Sequence, residues 1–186
     1  MPQKSRAWDP ALCLAWVGLI FLGMYYGRAL GPWFRGERGF WAMLLLALAG
    51  ACFAAWVVWR IRRLAPPERA GRGMGAALCL MGMGLLAWWQ PLLIERTHLV
   101  LYGVLGLLAW RAAGRWTSGA SRLVWAGACC ALVGLADEVA QHFHPQRVFD
   151  PRDILTNALS AWLAIAAASL LIPQRFHRVP STQSSQ

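Results

Sequence analysis

Residues 40–59 read FWAMLLLALAGACFAAWVVW, an apolar run with no charged side chain, bounded by Arg38 and Arg60. A helix crossing a hydrocarbon core about 30 Å thick needs about 20 mainly apolar residues. The run meets that requirement. Trp41 and Trp59 sit near its ends, where an amphipathic ring suits the membrane–water interface. Ala47, Ala51 and Ala55 recur at four-residue spacing within it, a small-residue stripe that predicts close contact with another helix.

Similar blocks lie on both sides. A first span is predicted from about Pro10 to Leu30, where Gly31-Pro32 breaks it. After residues 40–59 comes a basic loop with Arg60, Arg62, Arg63, Pro66-Pro67, Arg69 and Arg72, then a third span from about Met74 to Leu93. A fourth runs from there to about Ala113, although its clean apolar part covers only Leu99 to Trp110. The fifth covers about Leu123 to Val139 and the sixth about Ile154 to Ile172, stopped by Pro173. The expected fold is therefore all-α, a polytopic transmembrane helical bundle of about six spans. It divides into a three-span region (1–93), a second region holding spans four to six (94–172) and a polar tail (173–186) predicted to be disordered.

Composition agrees with this map. Of the 186 residues, 58% are apolar, against ~45–50% in a soluble domain. The net charge of +10 would suggest nucleic acid in a soluble protein. Here Lys and Arg fall between apolar blocks, so anionic lipid head groups are the expected partner and nucleic acid is not. Lys4 and Arg6 before an apolar run resemble a signal peptide. The run continues to about Tyr26 with no small-x-small cleavage site after it, so it reads as a retained first span. Cys13, Cys52, Cys79, Cys129 and Cys130 lie inside apolar blocks and read as small apolar residues.

With six spans, one side carries Lys4, Arg6, Arg60, Arg62, Arg63, Arg69, Arg72, Arg111, Arg115, Arg122, Arg175 and Arg178. The other carries Arg28, Arg35, Arg38, Arg96, Arg147 and Arg152. The positive-inside rule then puts both termini in the cytoplasm.

Two segments break the apolar pattern on the opposite, outward side. In the first, Glu95, His98 and Tyr102 are spaced i, i+3, i+7 and share a helix face. The second holds Asp137, Glu138, Gln141, Arg147, Asp150, Asp153 and Asn157. Asp137 and Glu138 each stand about one turn from Gln141, and Asp153 one turn from Asn157. Ionisable groups at membrane depth cost at least ~2.5–3.5 kcal/mol each, which makes these residues candidates for a pocket at the ends of spans four to six. Simpler roles stand beside that one. Asp150-Pro151 reads as a helix N-cap followed by proline at the first helical position. Arg147 is suited to clamp a carboxylate, or to meet an anionic ligand. His142 and His144 read as loop residues, and Tyr102 as an interfacial anchor. His98, Glu138, His142 and Asp153 are suitable ligand types for zinc, but the spacing of a metal motif is missing and no metal is assigned. Neither a G-x-S-x-G nucleophile motif nor a phosphate-binding glycine loop is found, so no catalytic residue and no cofactor is assigned.

These two segments resemble the VanZ-like family of bacterial membrane proteins. The resemblance rests on Glu95-Arg96-Thr97-His98 with Tyr102-Gly103 and Leu105, then Asp137-Glu138, Gln141, Pro145, Arg147, Asp150, Asp153 and Asn157, within residues 94–172. Leu101 departs from relatives that carry an acid there, and Ser160 stands where glycine is common. The resemblance implies a multi-pass protein of the bacterial cytoplasmic membrane, in a family whose founding member is linked to low-level teicoplanin resistance. It implies no reaction. Three functions stay open: an envelope accessory protein binding a lipid-linked or glycopeptide head group, an intramembrane enzyme using His98 or Glu138 as general base, and a small structural subunit of a larger membrane complex.

Overall fold

The computed structural model describes residues 8–30, 36–143 and 150–172. They form six helices: α1 (Trp8–Leu30), α2 (Gly36–Arg62), α3 (Pro66–Trp89), α4 (Leu93–Ala113), α5 (Gly119–His142) and α6 (Pro151–Leu171). No strand occurs among the described residues. The tail 173–186 lies outside them.

The boundaries differ from the sequence expectation in one informative place. The expected basic loop is helical from Pro66, because proline is tolerated in the first turn, where its missing N–H has no intrahelical partner anyway. The chain then passes through a π-helical turn at Arg69–Gly73 and continues as regular helix from Met74. α3 ends at Trp89, and Gln90 is extended. Pro91 disfavours helical backbone at the residue before it.

Five of the helices are long and apolar enough to cross a membrane; α4 is not among them. Its 21 residues cover about 30 Å, but its first turn includes Glu95 and its last includes Arg111. The packing accounts for this polarity. α4 touches every other helix and is most closely engaged with α5 and α6. Tyr102, Leu105, Ala109 and Trp110 of α4 share one core with Ile20 of α1, Ala126 and Cys130 of α5, and Ala161, Ile165 and Ala168 of α6. A helix enclosed in this way is solvated by protein. The outer helices carry the lipid-type surface instead: Leu14, Leu45, Trp88 and Leu132 are among many large apolar side chains left exposed.

Helices consecutive in the chain alternate in direction. Asp9, at the start of α1, pairs with Arg111, at the end of α4, at 2.9 Å. Trp16 Nε1, in the middle of α1, donates to the Leu101 carbonyl at 2.8 Å. Arg122, at the start of α5, donates to the Trp110 carbonyl at 2.6 Å and lies 3.6 Å from the Trp110 ring centroid. Arg60, at the end of α2, donates to the Leu171 carbonyl of α6. Arg60 thus satisfies a carbonyl that the end of α6 leaves without an intrahelical partner, and Arg122 adds a second donor to a carbonyl that also accepts the Gly114 N–H; these contacts lie at one end of the bundle. The polar segments singled out from the sequence gather at the other end.

Close approach comes from glycines rather than from the alanine stripe. A Cβ on Gly106 would lie 2.7 Å from the Ala161 carbonyl oxygen, so α4 and α6 touch backbone to backbone. A Cβ on Gly127 would meet the Trp162 ring at 2.3 Å. Ala47, Ala51 and Ala55 are all exposed, so the stripe expected to seat another helix of this chain faces outward.

Candidate functional site: a polar layer at one end of the bundle

The site is built from α5 upward. Asp137 and Glu138 follow a long apolar run and are both fully buried, at 1% and 0% exposure. They point to different partners. Asp137 Oδ2 accepts the phenolic O–H of Tyr102 on α4 at 3.1 Å. Glu138 Oε1 accepts from Gln141 Nε2 at 3.0 Å, and Oε2 accepts the backbone N–H of Asp150 at 3.1 Å. The one-turn pairing of Gln141 is therefore with Glu138. Burying a carboxylate without donors is costly, and Glu138 is supplied on both oxygens.

α6 contributes the facing wall. Asp150 caps it: its side chain accepts the Arg152 N–H at 2.9 Å, and Pro151 occupies the first turn, as the dipeptide predicts. Arg152 also pairs with Asp150 at 3.5 Å. Asp153 and Asn157 stack one turn apart on the same face. The Asp153 carboxylate accepts no hydrogen bond from a described residue; only its backbone N–H is engaged, with the Asp150 carbonyl. Asn157 is fully buried, and neither its Oδ1 nor its Nδ2 has a hydrogen-bond partner among the described residues.

α4 closes the layer. Glu95 Oε2 accepts the Leu92 N–H at 3.3 Å, capping the helix start. His98 Nδ1 is buried with no hydrogen-bond partner among the described residues. The His98 ring lies 6.3 Å from that of Tyr102 and within electrostatic reach of Asp153. Tyr102 is fully buried, which corrects its reading as an interfacial anchor. Ser160 Oγ donates to the Leu99 carbonyl at 2.6 Å, so the serine standing where glycine is common acts as a tether between α4 and α6. α4 and α6 run parallel, and Asn157 sits by Tyr102: a Cβ on Gly134 would meet the Asn157 Cβ at 3.3 Å and the Tyr102 ring at 3.5 Å.

Two residues not singled out from the sequence complete the site. Gln90 Nε2 donates to Thr156 Oγ1 at 2.8 Å in a buried contact that joins the end of α3 to α6. Arg96 Nε donates to the Gln90 carbonyl at 3.1 Å. The polar break before Pro91 was the available signal for Gln90. Above the layer is a cavity of about 90 Å³ bounded by Trp89, Gln90, Glu95, Asp150, Asp153 and Thr156, among others. Among the described residues, no group of three or more His, Cys, Asp or Glu side chains is arranged to hold a metal ion. Arg147 and His144 lie outside the described residues. Apart from Arg147, the candidate residues Glu95, His98, Tyr102, Asp137, Glu138, Gln141, Asp150, Asp153 and Asn157 all fall in this one end of the α4–α5–α6 unit.

Fold and site together define a multi-pass α-helical membrane protein with a polar layer at one end of its bundle. Within that class, the chain belongs to the VanZ/LLP1 family, whose model matches residues 11–172. The match begins in α1, so it takes in the first three helices as well as the motif-bearing region 94–172. No curated protein and no solved structure matches the chain.

Proposed function

We propose that the protein is an accessory protein of the bacterial cell envelope, spanning the cytoplasmic membrane six times with both termini in the cytoplasm. Its polar layer faces outward and grips a lipid-linked or glycopeptide head group. One observation carries this reading: the Asp153 carboxylate lines an open cavity without accepting a hydrogen bond from a described residue, and one turn further along α6, behind the lining, the fully buried Asn157 amide has no hydrogen-bond partner among the described residues. Unsatisfied buried polar groups are costly, about 1–3 kcal/mol each. A half-buried carboxylate without a donor, beside an opening and next to such a group, is suited to a ligand that supplies the missing partner.

The test is retention of lipid. Wild-type protein and the Asp153→Asn and Asn157→Leu variants are purified under matched conditions, and bound lipid is extracted and quantified. Loss of one head-group class from both variants, with folding intact, supports the reading. Identical lipid in all three proteins defeats it.

The enzyme alternative places general-base chemistry on His98 or Glu138. Glu138 has both oxygens occupied by protein donors, which favours a positioning role for it. The structural-subunit alternative gains support from the outward-facing Ala47, Ala51 and Ala55 of α2.

A further inference from the structure

We infer that the cavity takes the protonated primary amine of a phosphoethanolamine-type head group, with the phosphate held outside by arginines at its rim. This rests on the head-group reading above and names the ligand's chemistry.

The walls bear three carboxylates with unequal commitments. Glu95 caps α4 through one oxygen, and Asp150 caps α6 and pairs with Arg152. Asp153 has no donor from the described residues. One turn beneath it on the same face of α6, the fully buried Asn157 has both amide atoms unpartnered. The Asp153 carboxylate therefore lacks a hydrogen-bond donor among the described residues, and the three carboxylates outnumber the basic side chains near them, Arg152, which pairs with Asp150, and His98. A phosphate inside would face three carboxylates, a like-charge arrangement that costs affinity. A hydroxyl would supply a donor and leave the charge uncompensated. An ammonium supplies three donors and the charge together.

Trp89 forms another part of the wall, and an indole face attracts a cation. A cavity of about 90 Å³ has room well beyond the roughly 10–15 Å³ that one water needs. An aminoethyl group has a nitrogen and two carbons to place there. A trimethylammonium is bulkier and has no N–H to offer Asp153.

The rim is charged the other way. Arg152 is well exposed beside Asp150, with its side chain at 75%. Arg96 is anchored through its Nε to the carbonyl of Gln90, a residue of the cavity wall. An acidic interior with an arginine rim complements a zwitterion whose amine leads and whose phosphodiester follows.

The experiment is native mass spectrometry of the full chain, delipidated in detergent and offered equimolar phosphatidylethanolamine, phosphatidylglycerol and phosphatidylcholine of matched acyl chains. The expected result is preferential retention of phosphatidylethanolamine over both others. Loss of one charge-assisted contact in Asp153→Asn should lower that retention by at least about tenfold. Trp89→Ala, at an exposed position, guards against a folding defect and should weaken it several-fold, while Trp88→Ala, outside the cavity wall, should not. Equal retention of the three lipids, or an unchanged preference in both Asp153→Asn and Trp89→Ala, overturns the inference. If a head group without an amine is instead lost from the Asp153 and Asn157 variants in the retention test, the head-group reading stands and the amine assignment falls.

Discussion

The Glu138 carboxylate accepts the backbone N–H of Asp150 at 3.1 Å, tying the end of α5 to the residue that starts α6. Its other oxygen is held by Gln141. Glu138→Gln turns one acceptor into an amide donor facing a donor. We expect it to lower stability by about 1–3 kcal/mol, the cost of leaving a buried group unpaired. Thermal unfolding in detergent checks this; an unchanged melting temperature with function lost would return Glu138 to a chemical role.

Gly106 should be among the positions least tolerant of added bulk. Its neighbour across the helix contact is the Ala161 backbone, which cannot rotate away as a side chain could. Overpacking of this kind costs about 1–3 kcal/mol. Gly106→Val should broaden or shift the size-exclusion profile and lower the melting temperature. Gly50→Val, where a Cβ meets nothing within 4 Å, should do neither.

Gln90 and Thr156 should be energetically coupled although they are 66 residues apart. Hydrogen bonds between membrane helices contribute roughly 0.6–2 kcal/mol. A double-mutant cycle with Gln90→Leu and Thr156→Val should return a coupling in that range. Strict additivity would mean that the contact does not stabilise the α3–α6 junction.

The two ends of the bundle should be accessible from opposite sides of the membrane. Ser118 lies in the turn between α4 and α5, at the arginine-rich end, and Phe143 follows α5 at the polar end. An impermeant maleimide should label Phe143→Cys in intact spheroplasts and Ser118→Cys only after lysis. Labelling of both from the same side would overturn the proposed topology.

Much of the fold was legible because membrane spans advertise themselves as apolar blocks: five of the blocks read from the sequence coincide with helices long and apolar enough to cross a membrane, and the fourth, α4, is helical but falls short of that. The polar end was legible for a related reason: Asp137 and Glu138 stand out at the end of an apolar run. What the sequence leaves open is rotation and partnership. The spacing of Ala47, Ala51 and Ala55 defines a face but does not say which way it turns, and it turns outward. Gln90 and Thr156 are unexceptional until the fold brings them to 2.8 Å. The Asp150 cap was readable because Asp-Pro is a local signal and its hydrogen bond reaches only two residues along the chain.

The enclosed position of α4 has a consequence for biogenesis. Its neighbours α1, α2 and α3 are synthesised before it, but α5 and α6, which it contacts most closely, come after. While the ribosome is still making those two, Glu95 and Arg96 have only their local partners at Leu92 and Gln90, and Tyr102 and the Leu99 carbonyl lack Asp137 and Ser160. A charged residue at the centre of a helix entering the bilayer costs ~2.5–3.5 kcal/mol, and less towards the end, where a side chain can reach the interface. The order of the chain thus makes insertion of α4 cooperative with that of its successors. A chain truncated after Ala113 would strand its most polar helix without shelter and become a ready target for membrane quality control.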